Sequence, residues 1–169
     1  MKTASIDSSS AIILYRAGLF EEVSLSLRLI YAESVIREIT VKERPGAARF
    51  SLIKHLSPDN IYEIAVAESE DMFSGMGPGE RDAINLCIAG HADYVITDDK
   101  KGASFCRRKK IPHINALLVP GIFYYSGIIS AERRAAAVNE ILEKGRYSEK
   151  IIEKAANMSK SELEFFLCV

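Results

Sequence analysis

The sequence predicts an α/β domain, a mostly parallel sheet with helices on both faces. Three observations carry this. Short apolar runs of strand length alternate with longer stretches whose apolar residues recur at helical spacing. Strands that alternate with helices are joined by right-handed crossovers, which build a parallel sheet. The chain has 169 residues, enough for one sizeable core, and shows no repeat, low-complexity stretch or linker. One domain is expected over residues 1–169, with a core to about residue 126 and a helical extension over about 127–169.

In chain order, Thr3–Asp7 reads as a strand with Ala4 and Ile6 apolar. The serines after Asp7 suit the cap of the helix "AIILYRAGLFEEV", broken near Gly18. Leu27–Ala32 is a second strand, and "ESVIREITV" a helix whose early Glu33 complements the macrodipole. Pro45–Leu56 reads as helix, and Ile61–Val66 alternates as a half-buried strand does. Gly77, Pro78 and Gly79 make a turn into a helix with the stripe Ala83, Ile84, Cys87 and Ile88. Tyr94–Thr97 is a strand, Lys100–Lys110 a basic helix and Ile111–Asn115 the last strand. From Leu117 onward the pattern is helical, with the stripe Ala137, Val138, Ile141 and Leu142, a stop at Gly145, and a second stripe of Ile151, Ile152 and Ala155.

Composition narrows the function. Hydrophobic residues are 48% and charged residues 27%, as in a globular protein. A net charge of −1 provides no global basic field, so a nucleic-acid partner would need local patches. No stretch reaches the ~18 apolar residues of a membrane span, and the N-terminus lacks a signal-peptide pattern. Three scattered cysteines fit a reducing cytosol, with Cys87 expected as a small core residue. His55, His91 and His113 are dispersed and are expected at surfaces or helix ends. No phosphate-binding glycine loop, nucleophile elbow or paired-histidine motif is present.

The acids stand out instead. Ligands gather outside the carboxyl ends of parallel strands, and Asp7 ends the first strand while Asp98 and Asp99 end the "YVIT" strand. Glu38 borders the buried face marked by Val35, Ile36 and Ile39, where an unpaired carboxylate is costly. Glu80 and Asp82 open a helix, two residues apart and so on different faces. Each has an ordinary use as a cap, turn former or surface residue. Together, without a conspicuous basic partner, they suit a hard divalent cation, Mg²⁺ or Mn²⁺. Such a cation can activate water and stabilise a departing oxygen.

With "IDSSSAIILYRAGLF", "VIREI", "GPGERDAINLCIAGHADYVITDDKKG" and "GIISAERRAAAVNEILEKGRYSEKIIEKA", the chain resembles the PIN-domain nucleases, in particular a bacterial and archaeal subgroup related to VapC-type toxins. The resemblance implies a three-layer α/β/α sandwich and a Mg²⁺- or Mn²⁺-dependent ribonuclease site. Asp7, Glu38, Asp82 and Asp99 match the family's four acids. Glu80 and Asp98 match acids common in the subgroup and are expected as supporting ligands, with Ser8 and Thr97 as hydrogen-bonding support. The chain departs from the subgroup at Ser10, where proline is usual, and at Asn115 and Ala116, where Gly-Thr is favoured.

Lys100, Lys101, Arg107 and Arg108, with Lys109 and Lys110, flank the acidic loop and are candidate RNA-phosphate contacts; a solvated basic helix face is the plainer reading. Single-stranded loops are the expected RNA target. The resemblance also implies a homodimer and, in a toxin pair, an antitoxin partner. The tail "SELEFFLCV" is expected to pack on the protein's own core. Two other readings stand beside the nuclease: a catalytically silent PIN-like module that binds RNA or protein, and a phosphoacceptor domain. The second lacks an acidic pair at the first strand and a central aspartate after Ile61–Val66.

Overall fold

The computed structural model describes residues 2–42, 59, 61–62 and 73–168. Strand β1 (Thr3–Ile6) leads into helices α1 (Ser8–Arg16) and α2 (Phe20–Ser26). Strand β2 (Arg28–Ala32) runs directly into α3 (Glu33–Lys42), and β3 (Ile61–Tyr62) follows. Next come α4 (Pro78–Ile88), β4 (Tyr94–Ile96), α5 (Lys100–Lys109) and β5 (His113–Ile114). A 3-10 turn over Ala116–Leu118 opens the helices α6 (Val119–Tyr125), α7 (Ala131–Lys144), α8 (Glu149–Asn157) and α9 (Lys160–Leu163). The helix expected at 45–56 and the rest of the strand expected at 61–66 lie outside the described residues.

The five strands among the described residues lie in the order β3-β2-β1-β4-β5, and each neighbouring pair is parallel. Helices cover both faces, giving a three-layer α/β/α sandwich. The alternation of side chains along each strand sorts them between the layers. Ala4, Ile6, Tyr94 and Ile96 enter the larger cluster, with Leu14, Val35, Ile39, Phe123 and Ile141. Val95 faces the other way, onto Phe73, Ala83, Ile84, Phe105 and Cys106. Ser5 also points to that second face, where its Oγ donates to the Ala83 carbonyl at 2.7 Å. A small residue with one donor lets α4 sit close to the sheet without leaving a buried hydroxyl unpaired.

Local chemistry sets the boundaries. Gly18, at φ 66°, takes the left-handed turn that separates α1 from α2. Asp7, rather than a serine, caps α1, and the serines form its first turn. Cys87 is half-buried between the two clusters and not in the core as expected; Cys106 is the fully buried cysteine. His91 is exposed, while His113 is half-buried on β5 with Nδ1 2.9 Å from the Ile111 carbonyl. The tail folds back on its own chain: Phe166 stands edge-on to Tyr94, ring centroids 5.0 Å apart, and Leu167 is buried. A cavity of about 460 Å³ lies among α6, α7 and α8, walled by Tyr124, Val138, Leu142 and Ile152. Among the described residues, no helix is long and apolar enough to cross a membrane.

Candidate carboxylate site

The sheet brings the strand-end acids together. Ile6 is level with Ile96 across β1 and β4, and the Asp7 N–H donates to the Ile96 carbonyl at 3.1 Å. After β1 the chain builds β2 and β3 on one side, then returns to place β4 on the other. The crevice between β1 and β4 is therefore the switch point at which open parallel sheets bind ligands. Asp7, Thr97, Asp98 and Asp99 all lie there.

Asp7 is completely buried. Its Oδ1 accepts the Ser10 N–H at 2.7 Å, which caps α1. Its Oδ2 is buried with no hydrogen-bond partner among the described residues. Burial pushes its pKa from 3.8 to about 6; the nearby Thr97 hydroxyl and the Ser10 N–H restrain the rise, and the Asp98 charge adds to it. An orphaned carboxylate oxygen in a dry site is costly. It suits a ligand with positive charge.

Glu38 reaches the same edge from α3. Its Oε2 accepts the Ser8 hydroxyl at 2.5 Å and its Oε1 accepts the Gly79 N–H at 2.8 Å. Glycine leaves room at position 79: a Cβ there would stand 2.7–2.8 Å from the Glu38 carboxyl atoms, so the Glu38 side chain would have to shift. Glu80, half-buried on α4, has its pKa raised by burial and then by the charges of Asp7, Glu38 and Asp99. Glu80 is thus within electrostatic reach of three other carboxylates. Asp82 sits differently: its Oδ1 accepts from Nε of the neighbouring Arg81 at 2.8 Å, so it comes to the edge already paired.

The adjacent aspartates divide their work. Asp99 caps α5, its Oδ2 accepting the Gly102 N–H at 2.6 Å, while its own N–H reaches Thr97 Oγ1 at 3.3 Å. Asp98, expected as a supporting metal ligand, has both oxygens occupied. Oδ1 accepts from the Tyr147 hydroxyl at 2.8 Å and from the Ala116 N–H at 3.3 Å, and Oδ2 from the Ser10 hydroxyl at 2.8 Å. Its pKa is raised chiefly by burial and restrained by these three donors, so repulsion from Asp99 is not the leading cause. Tyr147 lies in a matching stretch and Ser10 at a departure from the subgroup, but neither was expected to support the site.

The basic residues are also split. Lys100 and Lys101 open α5 beside Asp99, and Lys101 Nζ donates to the Gly75 carbonyl at 2.8 Å. Arg107 and Arg108 lie in the last turn, roughly 10 Å farther along at 1.5 Å per residue. They flank the loop in sequence, but not in space.

A PIN-domain family model matches residues 4–161. The chain belongs to the PIN-domain family. No curated protein and no solved structure matches it. PIN domains are in general nucleases that use divalent metal ions, and the donor set fits such an ion. The donors are hard oxygens, one of them buried and, among the described residues, without a hydrogen-bond partner. As placed, no three His, Cys, Asp or Glu side chains among the described residues converge closely enough to enclose an ion. Each arm is instead held by a hydrogen bond to its own scaffold. The match extends through α7 and α8, so this PIN domain includes the segment that delivers Tyr147.

Proposed function

We propose that this PIN domain is a metal-dependent endoribonuclease that hydrolyses RNA phosphodiesters with Mg²⁺ or Mn²⁺. The observation that carries the reading is the buried Asp7 carboxylate, with one oxygen unpartnered, in electrostatic range of Glu80 at the β1/β4 switch point. Asp7, Glu38, Asp99 and Glu80 would hold the ion, and Asp82 would join them by leaving Arg81. When bound, the cation supplies charge for the attacking water and the departing oxygen. The remaining work belongs to the chain. Ser8 and the Gly79 N–H orient Glu38, the Ser10 N–H orients Asp7, and Thr97 fixes the loop that carries Asp99. Lys100 is the basic side chain best placed for a phosphate beside Asp99.

The test is cleavage of a mixed structured and single-stranded RNA pool with Mg²⁺, Mn²⁺ or EDTA, beside Asp7→Asn and Asp99→Asn. Discrete products that need metal and vanish in both variants support the reading. One observation favours a second: both oxygens of Glu38 and of Asp98 are engaged by hydrogen bonds and Asp82 by an ion pair, as suits a silent RNA- or protein-binding module. RNA bound but uncleaved under either metal would select it. The VapC-like resemblance extends the proposal to a homodimer in the cytoplasm and an antitoxin partner. Sedimentation velocity of the purified chain tests the dimer.

A further inference from the structure

The link between α7 and α8 reaches across the fold to the carboxylate edge. Tyr147 lies 49 residues from Asp98 in the chain, yet its hydroxyl donates to Asp98 Oδ1 at 2.8 Å. Its approach depends on Gly145, since a Cβ there would collide with the Tyr147 ring. The Gly145 N–H still closes α7 onto the Ile141 carbonyl at 2.7 Å, so the chain turns toward the site as the helix ends. The contact is more than peripheral. The Tyr147 hydroxyl is pushed well above the ordinary phenol range by burial first, and then by the charges of Asp98 and Asp7.

Among the described residues, Asp98 has no cation as a hydrogen-bonding partner. Tyr147, Ser10 and the Ala116 N–H are all neutral donors. The Ser10 residue that serves Asp98 with its hydroxyl serves Asp7 with its N–H. One continuous chain of hydrogen bonds thus runs from Asp7 through Ser10 and Asp98 to Tyr147. Asp98 is followed directly by Asp99, so whatever fixes Asp98 fixes where Asp99 can point.

We propose that Tyr147 is a positioning residue of the carboxylate edge: its hydroxyl locks Asp98, and through Asp98 the loop that presents Asp99. This deepens the nuclease reading and rests on it for the role of the edge. It makes the helices after residue 126 part of the working site, and it moves Asp98 from ligand to support. Partners that orient the groups around a metal typically change affinity or activity by about 10–100-fold when removed.

The experiment compares Tyr147→Phe, Ser10→Ala and Tyr125→Phe with the unaltered protein. Tyr125 is the control: it also loses one hydroxyl bond, to the Met158 carbonyl at 3.3 Å, but away from the edge. Mn²⁺ binding is read by electron paramagnetic resonance, amide exchange over residues 97–102 by mass spectrometry, and RNA cleavage as kcat and KM. Tyr147→Phe and Ser10→Ala are expected to exchange faster over 97–102, bind Mn²⁺ about 10-fold more weakly, and lose kcat with KM held. Tyr125→Phe should change none of these. Wild-type Mn²⁺ affinity in folded Tyr147→Phe overturns the proposal, whether or not exchange is faster, because Tyr147 is then a structural tie only. If the unaltered protein binds Mn²⁺ but cleaves no RNA, the nuclease reading fails alone, and the Mn²⁺ comparison still decides the role of Tyr147.

Discussion

Asp7→Asn should stabilise the metal-free protein at alkaline pH, although it removes a central acid of the edge. In the fold the Asp7 pKa stands at about 6 instead of 3.8. Between these values the folded state holds a proton that the unfolded chain has released. Stability therefore falls as pH rises through that window, and the cost is complete above about pH 6. At 1.36 kcal/mol per pH unit it comes to about 3 kcal/mol. Asparagine carries no charge and can still accept the Ser10 N–H as the α1 cap. At pH 8 the variant should melt roughly 6–12 °C higher, on 2–4 °C per kcal/mol for a chain of this size. At pH 4 the two should melt within a few degrees of each other. Part of the slope should survive in the variant, because Glu80 and Asp98 are shifted upward too. Addition of Mg²⁺ at pH 8 should reverse the order, raising the melting point of the native protein and leaving the variant unmoved. Calorimetry at pH 4, 6 and 8, with and without Mg²⁺, measures all of this. A variant less stable than the native protein at pH 8 without metal, or one with an unchanged slope from pH 4 to 6, refutes the assignment of a strained ionised carboxylate to Asp7.

Three further outcomes follow from the geometry. Gly79→Ala places a methyl against the Glu38 carboxyl group, and should lower metal-dependent cleavage at least about 10-fold while costing about 1 kcal/mol in thermal melting. Glu80→Gln should lose more cleavage than Asp82→Asn, since Glu80 feels the other acids while Asp82 is paired with Arg81; parallel kcat measurements decide between them. Phe166→Ala removes the edge-on contact with Tyr94 and should cost about 2 kcal/mol by urea unfolding, with cleavage at low temperature unchanged.

Much of the fold was legible because its signals are local. The short apolar runs at Thr3–Ile6 and Tyr94–Ile96 and the Gly-Pro-Gly turn before α4 fall where periodicity and turn chemistry put them. The strand order was not legible, because nothing local to either run shows that β1 and β4 are neighbours. That pairing decides which acids meet. The site was legible as a set of acids but not as a division of labour. Helical spacing separates Glu80 from Asp82 without saying which one turns inward, and "TDD" does not reveal that Asp98 is consumed by three donors. Tyr147 was invisible because its partner is a tertiary one. Ser10 was visible only as a departure from the proline usual in the subgroup, and the structure gives that departure a consequence. Proline has no N–H, whereas the Ser10 N–H is the bond that holds Asp7 Oδ1.

Helix N-termini supply the positive partner for three acids of the edge. Asp7 accepts from the third residue of α1, Asp99 from the third of α5, and Glu38 from Gly79 in the first turn of α4. Three helix N-termini thus converge on one edge, each offering an unsatisfied N–H and the positive end of its dipole. Each such interaction is worth about 0.3–1 kcal/mol, up to about 2 in a partly buried setting. That is enough to orient a carboxylate and partly stabilise its charge, but too little to cancel the burial cost borne by Asp7. A lysine or arginine would neutralise the acids and compete with a cation for them. Backbone N–H groups hold one oxygen of Asp7 and leave the other, Oδ2, without a partner. Such an arrangement holds Asp7 in place while one of its oxygens stays open to a cation, as the proposed metal-dependent hydrolysis requires.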